Sequence, residues 1–260
     1  MSSAADLWDP AQYLRFAGER MQPALDLLAR VRLAAPRRVV DLGCGAGNVT
    51  ALLAARFAGA AVAGIDASAA MLQRARAAVP GAAFAEADIA RWTPDAPVDL
   101  LFSNAALQWL GGHAALFPHL VAGIAPGGVM AVQMPAMHAA PLRAVQLRIA
   151  AHGPWAAALA EVQAAAPIGD AGFYHDLLSP LFASLEIWET TYLHVLRGPD
   201  AVVEWASGTS LRPYLDRLDG PMRNGFREAY AAALRPHYPA RPDGTTLLPF
   251  RRMFLLGVKA

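Results

Sequence analysis

The chain contains one cysteine, Cys44, among 260 residues, so it can close no internal disulfide and lacks the usual ligands of a structural zinc site. A reducing, cytoplasmic compartment is expected. Charge is scarce as well: 17% of residues are charged, and 22 basic residues against 21 acidic ones leave a formal net charge of +1. With no basic surplus and with scattered arginines, phosphate neutralisation has little to work with, and nucleic-acid binding is disfavoured. None of the seven histidines stands at a metal-binding spacing, so no metal is expected. Long apolar runs are missing too. The longest Ala-rich stretch, Ala51 to Ile65, is broken by Arg56 well short of a membrane span. The first residues carry Asp6 and Asp9 and no apolar targeting core. These absences predict a soluble, unprocessed protein with neither membrane nor nucleic-acid partners, and with no exposed apolar stripe identifiable in the sequence, a monomer is the default expectation.

What is present is apolar: 55% of the chain is hydrophobic, and at this length about 70–75% of the unfolded surface can be buried. From Arg37 to Met134 short apolar runs alternate with helix-length segments: Arg38 to Leu42, Ala60 to Ile65, Ala82 to Phe84, Val98 to Phe102 and Val129 to Met134. Runs of that kind are strands covered on both faces, hence a parallel α/β sheet. Residues 1–35 read as N-terminal helices interrupted at Pro23, and 36–135 as a ligand-binding core. Beyond it, helices are predicted over Pro141 to Ala151, Pro154 to Ala166, Ala201 to Ser207 and Pro221 to Leu234. Two late strands are expected at 184–196 and 245–258. The predicted fold is a doubly wound, mostly parallel seven-stranded sheet in one domain, with cap helices inserted over 136–183 and 197–244. Such sheets bind ligands at the carboxyl ends of their strands.

The first predicted strand runs into Asp41-Leu42-Gly43-Cys44-Gly45-Ala46-Gly47-Asn48. Glycines at alternate positions let the backbone turn sharply and approach a ligand, and the helix that follows offers free N–H groups. A dinucleotide loop would space its glycines G-x-G-x-x-G; here the third comes one position early and an acid stands two positions before the first. Asp66 closes the second strand, placed to accept both ribose hydroxyls or to cap the helix through Met71. Asp88-Ile89 follows the third strand, and Ser103-Asn104-Ala105-Ala106-Leu107-Gln108-Trp109 ends the fourth.

The glycine pattern resembles that of class I S-adenosylmethionine-dependent methyltransferases, which have a Rossmann-like sheet. Further strings narrow the likeness: Trp8-x-Pro10-x-x-Tyr13-x-x-Phe16 with Glu19-Arg20, Leu107-Gln108-Trp109-Leu110, Leu116-Phe117-Pro118-His119-Leu120, Gln133-Met134-Pro135, Thr190-Thr191-Tyr192-x-His194 and Leu211-Arg212-Pro213. Together, from about Trp8 to Phe254, they resemble the trans-aconitate 2-methyltransferases. The resemblance implies S-adenosylmethionine as cofactor, S-adenosylhomocysteine as product, and a small tricarboxylate as substrate. It implies cofactor contacts at Asp41, Gly43, Cys44, Gly45, Gly47, Asn48, Asp66, Ala67, Met71, Asp88, Ile89, Asn104, Ala105 and Trp109.

A carboxylate is ionised at neutral pH, so its methylation needs no general acid or base. Cationic forks are needed to hold the other carboxylates. Arg212 is the first candidate, followed by Arg20 and Tyr13, with Tyr192, His194, Trp205 and Arg252 as further wall residues. The chain departs from the family pattern at Ala136-Met137-His138, where an Asp-Asn pair is common, which bears on substrate choice. Three other readings stay open. They are methylation of another acid or of a malonyl carrier protein, nicotinamide oxidation–reduction, and cofactor binding without turnover.

Overall fold

The structure, a computed structural model, describes residues 17–162 and 166–260. Its elements in chain order are α1 (Ala17–Arg30), β1 (Arg38–Leu42), α2 (Asn48–Arg56), β2 (Ala61–Asp66), α3 (Ala69–Ala78), β3 (Ala83–Glu86), β4 (Val98–Asn104), α4 (His113–Ala122), β5 (Ile124–Pro135), α5 (Pro141–Ala151), α6 (Ala156–Leu159), α7 (Ala171–Leu178), β6 (Phe182–Arg197), α8 (Ala201–Ser207), α9 (Arg212–Leu215), α10 (Gly220–Leu234) and β7 (Thr245–Lys259). The strands form one seven-stranded sheet in the order β3-β2-β1-β4-β5-β7-β6. Parallel pairing joins β3, β2, β1, β4 and β5, and β7 runs antiparallel to β5 with Val129 opposite Val258 and Pro135 opposite Arg252.

The chain winds outward from β1 in two directions, so the strand order reverses between β1 and β4. That reversal opens a crevice at their carboxyl ends. β1 and β4 are apolar on both faces, and Val39, Leu42, Leu100, Leu101 and Phe102 are withdrawn from solvent, as a sheet sandwiched between helices requires. Ser68 caps α3 by accepting from the Met71 N–H, and Asp170 caps α7 by accepting from the Phe173 N–H.

Two compact units divide the described residues: 18–135, 166–190 and 252–260 in the first, and 136–162 with 191–251 in the second. Residues 166–183, expected within the cap, group with the first unit. In the second unit, Phe226 lies parallel to Tyr214 and Tyr230 and edge-on to Trp155. The Tyr230 hydroxyl donates to the Leu142 carbonyl at 2.9 Å, and the Trp155 indole to that of Ile149 at 2.7 Å.

The predicted helix over Pro154 to Ala166 shrinks to Ala156–Leu159. Gly153, with φ of 104°, turns the chain so that the Trp155 ring is buried. That packing outweighs the small per-residue preference of alanine for helix. The helix α7 was not anticipated, although Gly169-Asp170 before an apolar run is an N-terminal signal. No described helix is long and apolar enough to cross a membrane.

Candidate functional site

The glycine loop leaves β1 with Gly43, Gly45 and Gly47 all at positive φ. At Gly43 a side chain is excluded outright: a Cβ there would lie 2.1 Å from the Ala106 Cβ. The loop after β1 and the turn after β4 therefore meet face to face, and Ile89 closes on the same glycine from the loop after β3.

Asp66 spans the crevice's second edge. Its Oδ2 accepts from the Gly45 N–H and its Oδ1 from the Ser68 N–H, each at 2.9 Å. A carboxylate has about four acceptor positions, so two remain for a ligand's hydroxyls. The expected N-cap role falls to Ser68 instead. Asp88 is exposed and its Oδ1 accepts from the Ala90 N–H. Asp41 is buried, and the Thr50 hydroxyl donates to its Oδ2 at 2.7 Å. Burial is the chief reason its pKa is raised to about 7, with the Asp66 charge adding to the effect. Asp41 ties β1 to α2 beneath the loop. Cys44 is buried beside it, and its thiol is pushed well above the ordinary range by burial, which makes it inert.

Beyond β4, Ala105 adopts φ of 55°, a conformation that costs a non-glycine residue about 1–2 kcal/mol. Its N–H donates to the Gln133 carbonyl at 2.9 Å, and the Gln108 amide donates to its carbonyl at 2.6 Å. Trp109 then stands 53% exposed, with most of a large apolar surface left to a ligand. Asn104 and Gln133 are register partners on β4 and β5. Both carry a buried polar atom without a hydrogen bond, Asn104 Oδ1 and Gln133 Nε2. The Gln133 Oε1 accepts from Arg252 Nη1 at 3.0 Å, and Arg252 is 3% exposed.

Apposed glycines, a ribose-ready acid and unsatisfied polar atoms at the strand ends fit a nucleoside-bearing cofactor. Residues 39–128 match the family of proteins with a methyltransferase domain. A trans-aconitate 2-methyltransferase of Methylobacterium radiotolerans is 50% identical over 256 residues, covering 97% of this chain and 98% of the relative. That of Paracidovorax citrulli is 50% identical over 254 residues, with 96% and 97% covered.

The chain belongs to the trans-aconitate 2-methyltransferase family.

Family membership makes it an S-adenosylmethionine-dependent methyltransferase. Its fold is that of the class: a phosphoethanolamine N-methyltransferase 2 of Haemonchus contortus, solved in complex with S-adenosyl-L-methionine, matches with a TM-score of 0.61 at 17% identity, covering all of this chain and 61% of that one.

Not every expected residue of this methyltransferase reaches the crevice. Gly43, Gly45, Gly47, Asp66, Ile89, Asn104, Ala105 and Trp109 frame it, with Asn48 opening α2 and Ala67 and Met71 at the start of α3. Tyr13 and the side chain of Arg20 lie outside the described residues. In the second unit, His194 stacks on Trp205 at 4.5 Å, both are buried, and Phe250 packs on the pair. Both of these candidates are packed in the interior of the second unit. Tyr192 and His194 do share a strand face, with Leu193 and Val195 exposed on the other. Arg212 Nε pairs with Asp216 at 3.3 Å, while its Nη1 is buried without a hydrogen bond.

The second unit also holds a cavity of about 420 Å³, lined by Met137, Ala140, Thr191, His237, Tyr238 and Arg251 among others. The departure from the family pattern at Ala136-Met137 falls on its wall. Among the described residues no cluster of His, Cys, Asp or Glu could hold a metal.

Sequence reasoning had not singled out Gln133 as a site residue. Its signal was a lone amide inside the apolar run Val129 to Met134, because a polar side chain on a doubly covered strand needs a partner.

Proposed function

We propose that this chain methylates a carboxylate of trans-aconitate, giving the monomethyl ester. S-adenosylmethionine supplies a methyl group activated on a sulfonium and leaves as S-adenosylhomocysteine. Asp66 holds the ribose hydroxyls, Asp88 takes the adenine amine, and the glycine loop lets the backbone close on the methionine portion. No residue has to remove a proton, since the attacking carboxylate is already ionised. The chain contributes alignment and charge instead.

The observation that carries this reading is the buried Gln133–Arg252 pair at the carboxyl end of β5. Arg252 presents a planar fork of five donors. Gln133 meets that fork from one side through a neutral oxygen, at 3.0 Å from Nη1. A fork of this kind recognises planar, bidentate anions.

The test is mass spectrometry of trans-aconitate, cis-aconitate, citrate and a malonyl carrier protein after incubation with the chain and S-adenosylmethionine. A methyl ester mainly on trans-aconitate is expected. Ester on the malonyl carrier alone, or on none of the four while S-adenosylhomocysteine still binds, overturns the substrate assignment.

A further inference from the structure

The turn after β4 is strained at Ala105, and something must hold it. Its own hydrogen bonds fix Ala105, yet the 3-10 helix Leu107–Trp109 that follows has to be kept in place as well. The first residue of α4 supplies the link. His113 is buried, and its Nε2 lies 3.0 Å from the Leu107 carbonyl while its Nδ1 lies 2.5 Å from the Tyr174 hydroxyl.

A carbonyl only accepts, so Nε2 carries the proton and donates to Leu107. The Nδ1 of that neutral ring is an acceptor, and the Tyr174 O–H donates to it. The two hydrogen bonds thus run in one direction, from Tyr174 through His113 to Leu107, and both ring nitrogens are satisfied. Their surroundings are dry and rigid: Tyr174 and Phe117 are withdrawn from solvent, and Phe117 sits 5.2 Å from both the His113 and Tyr174 rings. In such a setting each hydrogen bond is stronger than in water, and a broken one is costly.

We infer that His113 and Tyr174 are positioning residues for methyl transfer, which lock the Asn104–Trp109 turn against the glycine loop in the shape that receives the cofactor. Their hydrogen bonds go to each other and to Leu107, not to the glycine loop or Asp66. They act through Leu107, whose neighbour Ala106 is the residue apposed to Gly43. The proposal rests on the turn being part of the cofactor site, and it falls with that reading if the unaltered chain binds no S-adenosylhomocysteine.

The experiment compares His113→Ala, His113→Gln and Tyr174→Phe with the unaltered chain. Each is titrated with S-adenosylhomocysteine well below its own Tm, and kcat and KM are measured for both substrates. For His113→Ala the Kd should rise about 3- to 10-fold, the effect of losing the one of its two hydrogen bonds that holds the Leu107 carbonyl, with a matching rise in the KM for S-adenosylmethionine. The KM for the carboxylate at saturating cofactor should stay within twofold. The Gln side chain can still donate to the Leu107 carbonyl, so His113→Gln should recover most of the affinity. Tyr174→Phe removes a single oxygen and should weaken binding about threefold. Should His113→Ala fail to fold, His113→Gln and Tyr174→Phe still decide the matter. A purely structural role predicts lower Tm values with unchanged Kd and KM in both folded variants, and that result overturns the proposal. So does a folded His113→Ala that binds as well as His113→Gln.

Discussion

Arg252 donates to Gln133 at 3.0 Å from a position 3% exposed, on a strand that meets β5 antiparallel. Gln133 is a neutral partner for the guanidinium, so an acid in its place changes the charge beside Arg252. Replacing Gln133 by Glu preserves length and shape, but it creates a salt bridge in place of a neutral hydrogen bond. A charge-assisted bond is worth about 1.5–3 kcal/mol, or roughly 10- to 100-fold in affinity. Gln133→Glu should therefore raise the KM for trans-aconitate by about that factor, with the Kd for S-adenosylhomocysteine unchanged and Tm not lowered. Steady-state kinetics on both substrates check it, and an unaltered KM for the acid would remove Arg252 from the substrate site.

Asp66 is expected to behave in the opposite way. Both of its oxygens already accept backbone N–H groups, from Gly45 and Ser68, so an amide at this position would turn a donor toward one of them. Asp66→Asn should weaken S-adenosylhomocysteine about 10- to 100-fold by calorimetric titration, while the KM for the acid at saturating cofactor stays within twofold.

Trp109 offers an optical test of the turn. Its ring follows the end of β4 and stands 53% exposed. Ligand binding should cover it and change its emission. In Trp109→Phe the fluorescence response to S-adenosylhomocysteine should largely vanish although binding persists. In Trp109→Ala, binding should weaken about tenfold as an aromatic contact worth roughly 0.5–1.5 kcal/mol is lost together with its buried area. A full response from Trp109→Phe would show that the ring points away from the ligand.

The cofactor half of the site was legible because its chemistry is local. Gly43, Gly45 and Gly47 follow a strand, Asp66 ends the next, and each signal spans a few residues. The Gln133–Arg252 pair and the His113–Tyr174 link were not legible, because their members lie 119 and 61 residues apart and meet only once the sheet order is known. The same reason explains His194 and Trp205. Their residue types suggested a ligand wall, and what the sequence does not display is that Trp205, on a separate helix, stacks on His194. Helix length failed over 154–166: the chain turns at Gly153, Trp155 is buried at the N-cap, and the helix runs only from Ala156 to Leu159, short of what an alanine count suggests.

Asp41 ties stability to pH through a group that never needs to touch the ligand. Its folded pKa is raised from 3.8 to about 7, chiefly by burial. Between those values the folded chain holds a proton that the unfolded chain has released, so stability falls as pH rises from about 4 to about 7 and is flat above. Three pKa units correspond to about 4 kcal/mol. Asp41→Asn keeps an oxygen for the Thr50 hydroxyl and has nothing to ionise. Measured by urea unfolding, the stability difference between Asp41→Asn and the unaltered chain should grow with pH across that window, with the variant the more stable at pH 8. Parallel pH profiles for the two proteins would mean that Asp41 is ionised in the fold at no cost, and that the Thr50 hydroxyl alone is enough to hold its charge.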